Sequence, residues 1–369
     1  MRLLLLSDTY SEHTEKWAIG LAERGIEVGL FSFNKASYNW YDRPRITVYF
    51  EPEQPINAES TLTKLSYLKY VSIVRKIIKH FKPDVLHAHY ATSYGLVGAL
   101  CGFHPYVISS WGTDVMKFPD KNIFARGILK YNFRNADVLC ATSKTIQEYI
   151  GRVTNKKVEV IPFGVDTKVF SPAPVQSPFS NTEFVMATIK PLEPIYNINL
   201  AIQALASMHK QYPQLRLMII GSGTQEKSLK EMAEGLGVSD KVMFTGRVPF
   251  EEVSRYFNIS HVLLNLSQYE SFGVSVIEAM ACGKPVIVSD TGGLAEIVEN
   301  ESLGIKVKPG DETALKNAIE SLLTDTKRYN EMSQAGRAHV LAHYNWQENL
   351  QQMINIYEQL VPEKKTRLA

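Results

Sequence analysis

The chain has 369 residues, 45% of them hydrophobic and 21% charged, and a formal net charge of +2. That length exceeds one ordinary hydrophobic core and predicts two domains, and the composition excludes a largely disordered chain. The apolar run at residues 3–6 is too short for a signal peptide or a membrane helix, which predicts a cytoplasmic protein. Three scattered cysteines predict buried free thiols rather than disulfides or a metal site.

The charge is distributed unevenly along the chain. Residues 1–170 contain 22 Lys and Arg against 16 Asp and Glu, whereas the remainder contains 18 against 22. A basic first half indicates an anionic partner, such as a phospholipid surface or a phosphate-bearing acceptor. Scattered, solvated lysines would give the same count, so both interpretations stay open.

The first half alternates short apolar runs with helical patterns, which is typical of parallel α/β sheets. The predicted elements are a strand at 3–7, a helix through 17–22, a strand at 27–32, a helix at 62–81, and strands at 85–87, 106–110, 137–141 and 158–162.

A proline-rich segment at 163–181 reads as a linker, after which the alternation resumes. The predicted elements are strands at 184–189, 215–220, 241–244, 262–266 and 285–289 and helices at 198–212, 225–236 and 274–281. The prediction is therefore two doubly wound, Rossmann-like domains at 1–170 and 171–345, with a ligand cleft at the carboxyl ends of their strands. A final helix at 346–369 either completes the second domain or crosses back to the first.

One segment of the second half carries the strongest chemical signal. A predicted strand leads through a polar loop into a helix that opens near Gly273, so the backbone N–H groups of residues 272–275 form an anion site. Glu278 lies five residues beyond Gly273, roughly 7.5 Å along the helix, where it could accept both hydroxyl protons of a ribose. Glu270 lies on the other side of the anion site, where a leaving sugar would sit. A carboxylate pair alone is a weak signal, because a capping loop with a solvated glutamate is commoner.

The run from Glu270 to Val298 resembles the donor motif of glycosyltransferase family 4, whose members are retaining enzymes with the GT-B fold. Other segments that resemble this family are residues 83–89, 111–114, 161–170, 219–224 and 242–249. The resemblance covers nearly the whole chain. It implies an α/β, GT-B fold with an N-terminal acceptor-binding domain and a C-terminal donor-binding domain. It also implies a metal-independent hexosyltransferase that takes a nucleotide-sugar donor, with UDP favoured, and acts on a hydroxyl acceptor in glycan, polysaccharide or glycolipid biosynthesis.

The resemblance also assigns roles to individual residues. Glu278 would bind the ribose, Glu270 would lie beside the donor sugar, and Lys190 would face the diphosphate. The implied catalytic pair is Glu270 and Lys190, and the implied donor-binding residues are Gly221, Arg247, Val248, Phe272, Gly273, Val274, Ser275 and Glu278.

The chain departs from the family pattern around the diphosphate. Members usually place a second Lys soon after the first and before a Gly. Here either Ile195 or Tyr196 lies near that Lys position, and Asn197 lies at the Gly. The first loop, at 8–14, also lacks the usual pair of glycines.

The acceptor or sugar side is assigned to His13, His89, Trp111 and Asp114. Trp111 replaces a histidine that many members carry, and His13 is the group of the first loop most suited to reach the cleft, although a lone histidine is usually structural. His87 and His89 share one face of a strand, and His89 is the one expected to reach the cleft.

The expected partners are the nucleotide sugar and a sugar or lipid-linked acceptor, with no nucleic acid, no cofactor and no metal. Peripheral association with the inner face of a membrane is a further hypothesis. It rests on the basic helix at 62–81 or on Lys117, Lys121, Arg126, Lys130 and Arg134. Ordinary surface helices would look the same. A nucleotide-sugar epimerase of the same fold and a non-catalytic nucleotide-sugar-binding subunit are the alternative functions.

Overall fold

The computed structural model describes residues 1–35, 38–50 and 67–361. The chain forms two compact units. Unit 1 consists of Met1–Pro162 together with the chain from Glu348 onward, and unit 2 is Phe163–Gln347. Each unit is a parallel β-sheet with helices, so the predicted fold class is confirmed.

The sheet of unit 1 has its first strand near the centre. Its described strands are β1 (Arg2–Leu6), β2 (Glu27–Ser32), β3 (Ile46–Phe50), β4 (Val85–His89), β5 (Tyr106–Ser110), β6 (Val138–Ala141) and β7 (Val158–Val160). They lie in the order β3-β2-β1-β4-β5-β6-β7 and pair in parallel. The side chains of Leu3 to Leu6 are fully buried, as expected for a central parallel strand covered on both faces. The order of strands reverses between β1 and β4, and ligands of such sheets bind at that point.

The helices of unit 1 connect these strands. They are α1 (Glu12–Glu23), α2 (Leu68–Phe81), α3 (Ser93–Cys101), α4 (Thr113–Met116), α5 (Ile123–Asn135) and α6 (Lys144–Gly151). The predicted helix at 62–81 is confirmed from Leu68 onward, while residues 62–66, with Lys64, lie outside the described residues. Strand β3 and helices α3 to α6 were not predicted. The side chains of Asn122 and Ser143 cap α5 and α6 by accepting backbone N–H groups.

The sheet of unit 2 has the same plan. Its described strands are β8 (Phe184–Ile189), β9 (Leu215–Ile220), β10 (Val242–Gly246), β11 (Val262–Asn265), β12 (Val286–Ser289) and β13 (Ile305–Val307), in the order β10-β9-β8-β11-β12-β13. The helices that follow α6 are α7 (Ile198–Met208), α8 (Glu226–Gly235), α9 (Phe250–Ile259), α10 (Val274–Ala281), α11 (Gly292–Ile297), α12 (Glu312–Thr324), α13 (Thr326–His343) and α14 (Trp346–Leu360). Strand β13, helix α9 and helices α11 to α13 were not predicted. Helix α13 buries only Met332, Gly336 and Val340, so its apolar pattern is sparse.

The segment predicted as a linker is packed onto unit 2. Phe170 is buried and lies between the rings of Phe250 and Phe257. The amide of Asn258 donates to the carbonyl of Ser171 and accepts from the N–H of Ala173, both at 3.0 Å. The division between the units therefore falls after Pro162, eight residues before the predicted boundary at 170.

Helix α14 belongs mainly to unit 1. The side-chain amide of Asn349, on this helix, donates to the carbonyl of Pro162, and the guanidinium of Arg24 donates to the side chain of Gln351. Leu350, Met353 and Tyr357 are buried, which agrees with their predicted helical spacing. Of the two alternatives for this helix, the structure supports the packing with the first domain.

Candidate functional site

Three neighbouring strands of unit 2 bring the donor-side residues together. The loops that follow β8, β9 and β11 begin at Lys190, Gly221 and Leu266, and these strands are adjacent in the sheet. Because all three strands are parallel, their carboxyl ends lie at one edge. The N–H of Lys190 donates to the carbonyl of Ile220 at 3.1 Å, which joins the first two loops.

Lys190 and Glu270 form an ion pair at this edge. The ammonium of Lys190 contacts Oε2 of Glu270, and the two side chains are only 13% and 16% exposed. The hydroxyl of Ser267 lies 3.5 Å from the same carboxylate oxygen and donates to Asn265 at 2.7 Å. A nearly buried carboxylate is thus held by one cation, and an arriving diphosphate would compete for that cation.

The segment between β8 and α7 lies beside this pair. The ammonium of Lys190 sits over the ring of Tyr196, 5.1 Å from its centroid. The carbonyl of Ile195 accepts the N–H of Gln268 at 2.8 Å, which ties this segment to the loop of Glu270. Asn197 adopts the left-handed conformation, with φ 53°. Because that conformation favours glycine, it agrees with the assignment of Asn197 to the family's Gly position.

Two glycines allow the loops to approach closely. A Cβ on Gly221 would lie 2.0 Å from the carbonyl oxygen of Lys190, and a Cβ on Gly292 would lie 2.2 Å from that of Glu270. Both residues also have positive φ, of 140° and 46°. In addition, the N–H of Gly293 donates to the carbonyl of Glu270 at 3.0 Å, so the start of α11 fixes the backbone of the loop that carries Glu270. Gly292 and Gly293 both lie in the run that resembles the family motif, but the sequence alone gave them no role.

The start of α10 has the features of an anion site. Gly273 precedes the helix with φ 111°, and no side chain within the described residues caps this end. The first N–H groups of a helix have no partner inside it, and the helix dipole places partial positive charge there. Val274 and Glu278, four residues apart, are both half-buried on one face of α10. A chain running from phosphate to ribose would follow that face.

Three residues that were predicted to bind the donor, Phe272, Ser275 and Val248, have side chains that pack within unit 2. The ring of Phe272 is buried against Phe163 and Tyr344, at centroid distances of 5.7 and 5.8 Å, so only its backbone is available to a ligand. The hydroxyl of Ser275 is buried and accepts from Asn265 at 3.5 Å. Val248 packs on the hydrophobic cluster beneath β9, whereas the neighbouring Arg247 is exposed.

In unit 1, the residues predicted for the acceptor side form a layered cluster at the ends of β1, β4 and β5. His89 is buried beneath Trp111, with ring centroids 4.5 Å apart, and His13 meets the edge of Trp111 at 5.8 Å. His89 Nδ1 is 3.0 Å from the hydroxyl of Ser7. The expectation that His89 reaches an exposed position is wrong, because the strand continues to this residue and Trp111 covers it. His89 therefore acts by supporting Trp111, while His13 and Trp111 are the half-buried members.

The histidines of this cluster are neutral at neutral pH. Burial lowers the pKa of His87 to about 3, and burial with the nearby charge of Lys16 lowers the pKa of His13 to about 4. Burial, and then the neighbouring imidazoles, hold the pKa of His89 well below its ordinary value. His87 lies between the hydroxyls of Tyr357, at 2.6 Å from Nδ1, and Ser109, at 2.8 Å from Nε2. Tyr357, on α14, was not predicted as part of this cluster.

Asp114 has a structural role in unit 1. Its buried carboxylate accepts N–H groups from Ala91 at 2.8 Å, Gly112 at 2.9 Å and Trp111 at 3.3 Å. Burial raises the pKa of this carboxyl, while the backbone hydrogen bonds oppose the shift. Asp114 thus lies in the cluster predicted for the acceptor side, but its carboxylate is occupied by backbone N–H groups: it joins the loops after β4 and β5 and so positions Trp111.

No group of three or more His, Cys, Asp or Glu side chains among the described residues is arranged to hold a metal ion. No helix among them is long and apolar enough to cross a bilayer.

Comparison with known proteins identifies the family. A family model described as glycosyl transferases group 1 matches residues 171–339, and one described as glycosyl transferase 4-like matches residues 2–143. The chain is a family 4-type glycosyltransferase.

Three proteins similar to this glycosyltransferase align with it over nearly their whole length. The N-acetyl-alpha-D-glucosaminyl L-malate synthase of Bacillus anthracis is 24% identical over 94% of this chain and 92% of its own. The structure of sucrose-phosphate synthase from Thermosynechococcus elongatus matches with a TM-score of 0.83 and 23% identity, covering 98% of this chain and 99% of that one. Anabaena HepE in complex with UDP and glucose matches with a TM-score of 0.78 and 20% identity, covering 98% and 100%. These likenesses establish the GT-B fold of this glycosyltransferase.

Proposed function

We propose that this glycosyltransferase moves a hexose-type sugar from a nucleotide-sugar donor, with UDP favoured, to a hydroxyl acceptor, and that it retains the anomeric configuration. The observation that carries the donor site is the meeting of Lys190 and Glu270 beside the uncapped start of α10. Glu278 lies roughly 7.5 Å further along the same helix, at the distance expected for a ribose from its phosphates. The UDP and glucose bound to the similar HepE support this choice of donor.

The proposed chemistry uses fixed charges on the donor side. The start of α10 and the ammonium of Lys190 stabilise the negative charge that develops on the departing nucleoside diphosphate. When the phosphates attract Lys190, the carboxylate of Glu270 becomes able to accept hydrogen bonds from sugar hydroxyls. The acceptor oxygen bonds to the anomeric carbon on the face that the phosphate oxygen leaves, and the acceptor proton passes to that phosphate oxygen. Because the helix start and Lys190 supply the positive charge, we propose that neither a metal nor a cofactor is required.

We further propose that unit 1 binds the acceptor through Trp111 and His13. The neutral imidazole and the indole suit the apolar face and the hydroxyls of a sugar better than a charged group does. A glycan or a lipid-linked sugar is the proposed acceptor, and association with a membrane surface would follow from a lipid-linked one.

Incubation with nucleotide sugars tests the proposed function. A thermal-shift panel first identifies the donor, because a ligand held well above its dissociation constant raises the unfolding temperature. Proton NMR of the product then reads the anomeric configuration, and a product with the configuration of the donor is expected with or without EDTA. An inverted product would contradict the proposed mechanism, and loss of activity in EDTA would contradict metal independence.

The two alternative functions predict other outcomes. An epimerase would convert the donor to an isomeric sugar with no acceptor present. A non-catalytic subunit would bind the nucleotide without turnover across a panel of donors and acceptors. The features of this chain that favour the latter are Ile195, near the position of the family's second lysine, and Trp111, which stands where many members have a histidine.

A further inference from the structure

Helix α5 of unit 1 exposes large apolar side chains. Ile123 and Phe124 are 81% and 75% exposed, and Tyr131 is 42% exposed. The side chain of Asn122 caps this helix by accepting the N–H of Ala125, so Ile123 and Phe124 occupy its first two positions. Phe124 and Tyr131 are seven residues apart and lie on one side of the helix. A single exposed apolar side chain is ordinary in a protein, whereas two adjacent ones that face solvent indicate a binding surface.

Basic residues surround these apolar side chains. The α5 region exposes the basic residues Lys117, Lys121, Arg126, Lys130 and Arg134. Two further exposed basic residues, Arg152 and Lys156, lie at the end of α6 and in the loop that follows it. The guanidinium of Arg126 donates to the carbonyl of Arg152 at 2.9 Å, and the ammonium of Lys156 donates to the carbonyl of Arg134 at 2.9 Å. Asp120, Asp137 and Glu148 are the exposed acidic residues in the same stretches. Seven cations against three anions give this surface a strong positive charge.

The other basic helix, α2, lacks the apolar component. Its described apolar residues Val71, Val74 and Ile77 are buried against unit 1. Among the described residues, helix α2 is therefore a surface helix that covers the sheet, and of the two basic regions α5 is the one that combines charge with exposed apolar side chains.

We propose that the α5 surface, formed by Ile123, Phe124, Tyr131 and the seven basic residues, docks on an anionic lipid bilayer. The apolar side chains would enter the boundary between headgroups and acyl chains, while the basic side chains contact lipid phosphates. The charge selects this partner, because a bilayer containing anionic lipid offers a continuous plane of negative charge that matches a seven-cation surface. The proposal extends the proposed function, in which the acceptor is lipid-linked.

Co-sedimentation of the full chain with vesicles tests the proposal. Binding to phosphatidylcholine vesicles that contain phosphatidylserine is expected, and binding to phosphatidylcholine alone should be at least about tenfold weaker. The double variants Ile123→Ser/Phe124→Ser and Lys121→Glu/Lys130→Glu should each lose about tenfold or more in partitioning. Matched controls are Lys76→Glu/Lys79→Glu on α2 and Phe250→Ser in unit 2, which should bind as the parent does.

Three results would overturn the proposal. They are no binding of the parent chain to anionic vesicles, equal binding by the α5 variants and the controls, and conversion of a dimer to a monomer by the α5 variants in analytical ultracentrifugation. The last result would make α5 a protein contact. Affinity for UDP, measured on the same variants without vesicles, should be unchanged. A parent chain that binds UDP but not anionic vesicles would refute only the docking surface, and a parent chain that binds these vesicles but not UDP would refute only the donor site.

Discussion

The two sheets of this glycosyltransferase present different chemistry at corresponding edges. In unit 2 the strand ends beside β8 carry an ion pair, Lys190 with Glu270, and an uncapped helix start. In unit 1 the strand ends beside β1 carry neutral imidazoles, hydroxyls and the indole of Trp111. The same architecture therefore supports an ammonium–carboxylate pair in one unit and, in the other, a cluster of mostly neutral side chains that the buried carboxylate of Asp114 helps to position.

The difference fits the two kinds of substrate. A diphosphate brings negative charge that only a cation, a helix start or a metal can offset at low cost in desolvation. An acceptor sugar is neutral and needs hydrogen bonds and an apolar face. The comparison predicts that changes in unit 2 alter turnover and nucleotide affinity, and that changes in unit 1 act through packing and proton binding.

Removing the charge of Glu270 should have the largest effect. Glu270→Gln retains the size of the side chain but releases Lys190 and weakens the hold on the sugar, so turnover should fall about a hundredfold or more. Affinity for UDP should change less than about threefold, because Glu270 lies on the sugar side of the phosphates. Steady-state kinetics and calorimetry measure the two quantities, and near-normal turnover would remove Glu270 from the catalytic role.

Adding a methyl group at Gly292 should disturb the donor loop. Gly292→Ala combines a left-handed backbone with a Cβ placed 2.2 Å from the carbonyl oxygen of Glu270. Gly310→Ala is the matched control, since Gly310 is also left-handed but has open space around its Cβ position. The control should cost about 1–2 kcal/mol in the free energy of unfolding, and Gly292→Ala should cost more and also lower turnover. Equal costs in urea unfolding, with equal turnover, would show that the close approach of α11 is unimportant.

Acid should destabilise the imidazole cluster of unit 1. Burial lowers the pKa of His87 to about 3 in the folded state, below the ordinary value of about 6.5 that applies to the unfolded chain. The unfolded state therefore binds the proton first, so the stabilisation is complete above pH 6.5 and decreases as the pH falls toward the folded pKa. The loss approaches about 1.4 kcal/mol per pH unit for this one histidine.

His87→Phe tests that assignment. The variant should be less stable at pH 7.5, because the hydroxyls of Tyr357 and Ser109 lose their partner. Its free energy of unfolding should nevertheless decline less steeply between pH 6.5 and 5 than that of the parent. If urea titrations show the free energy of unfolding decreasing with pH equally steeply in His87→Phe and in the parent, His87 is not the group that binds the proton.

Tyr196 should have the smallest effect, through Lys190. The ring lies 5.1 Å from the ammonium, and a cation–π contact of this kind contributes modestly. Tyr196→Phe retains the ring and should leave UDP affinity unchanged, whereas Tyr196→Leu should weaken it about two- to fivefold. Equal affinities in all three proteins would show that the ring does not position Lys190.

The sequence predicted the donor side better than the acceptor side for a physical reason. The donor segment is contiguous, so the strand, the loop, Gly273 and Glu278 could be placed by helix geometry alone. The imidazole cluster instead joins Ser7, His87, Ser109 and Tyr357 from distant parts of the chain, and only the folded sheet and α14 bring them together. The positioning role of Asp114 was missed because its partners are backbone N–H groups, which a sequence does not reveal.

The same limit applies to the surfaces and the shorter elements. Periodicity indicates that α2 is an amphipathic helix, whereas the α5 region was recognised only by its basic residues, and neither pattern shows which apolar residues stay exposed. Strand β13 has three residues and was missed because so short a run carries little pattern.

Calorimetric titration of UDP into the parent, Glu278→Ala and Glu296→Ala most directly tests the central claim that the donor lies along α10. Glu296, on the adjacent α11, is also half-buried and serves as the matched control. The account predicts that Glu278→Ala weakens UDP binding about tenfold or more, since a charged hydrogen-bond acceptor for the ribose is lost, while Glu296→Ala binds as the parent does. Unchanged affinity in Glu278→Ala, or an equal loss in Glu296→Ala, would contradict the placement of the nucleotide on this helix.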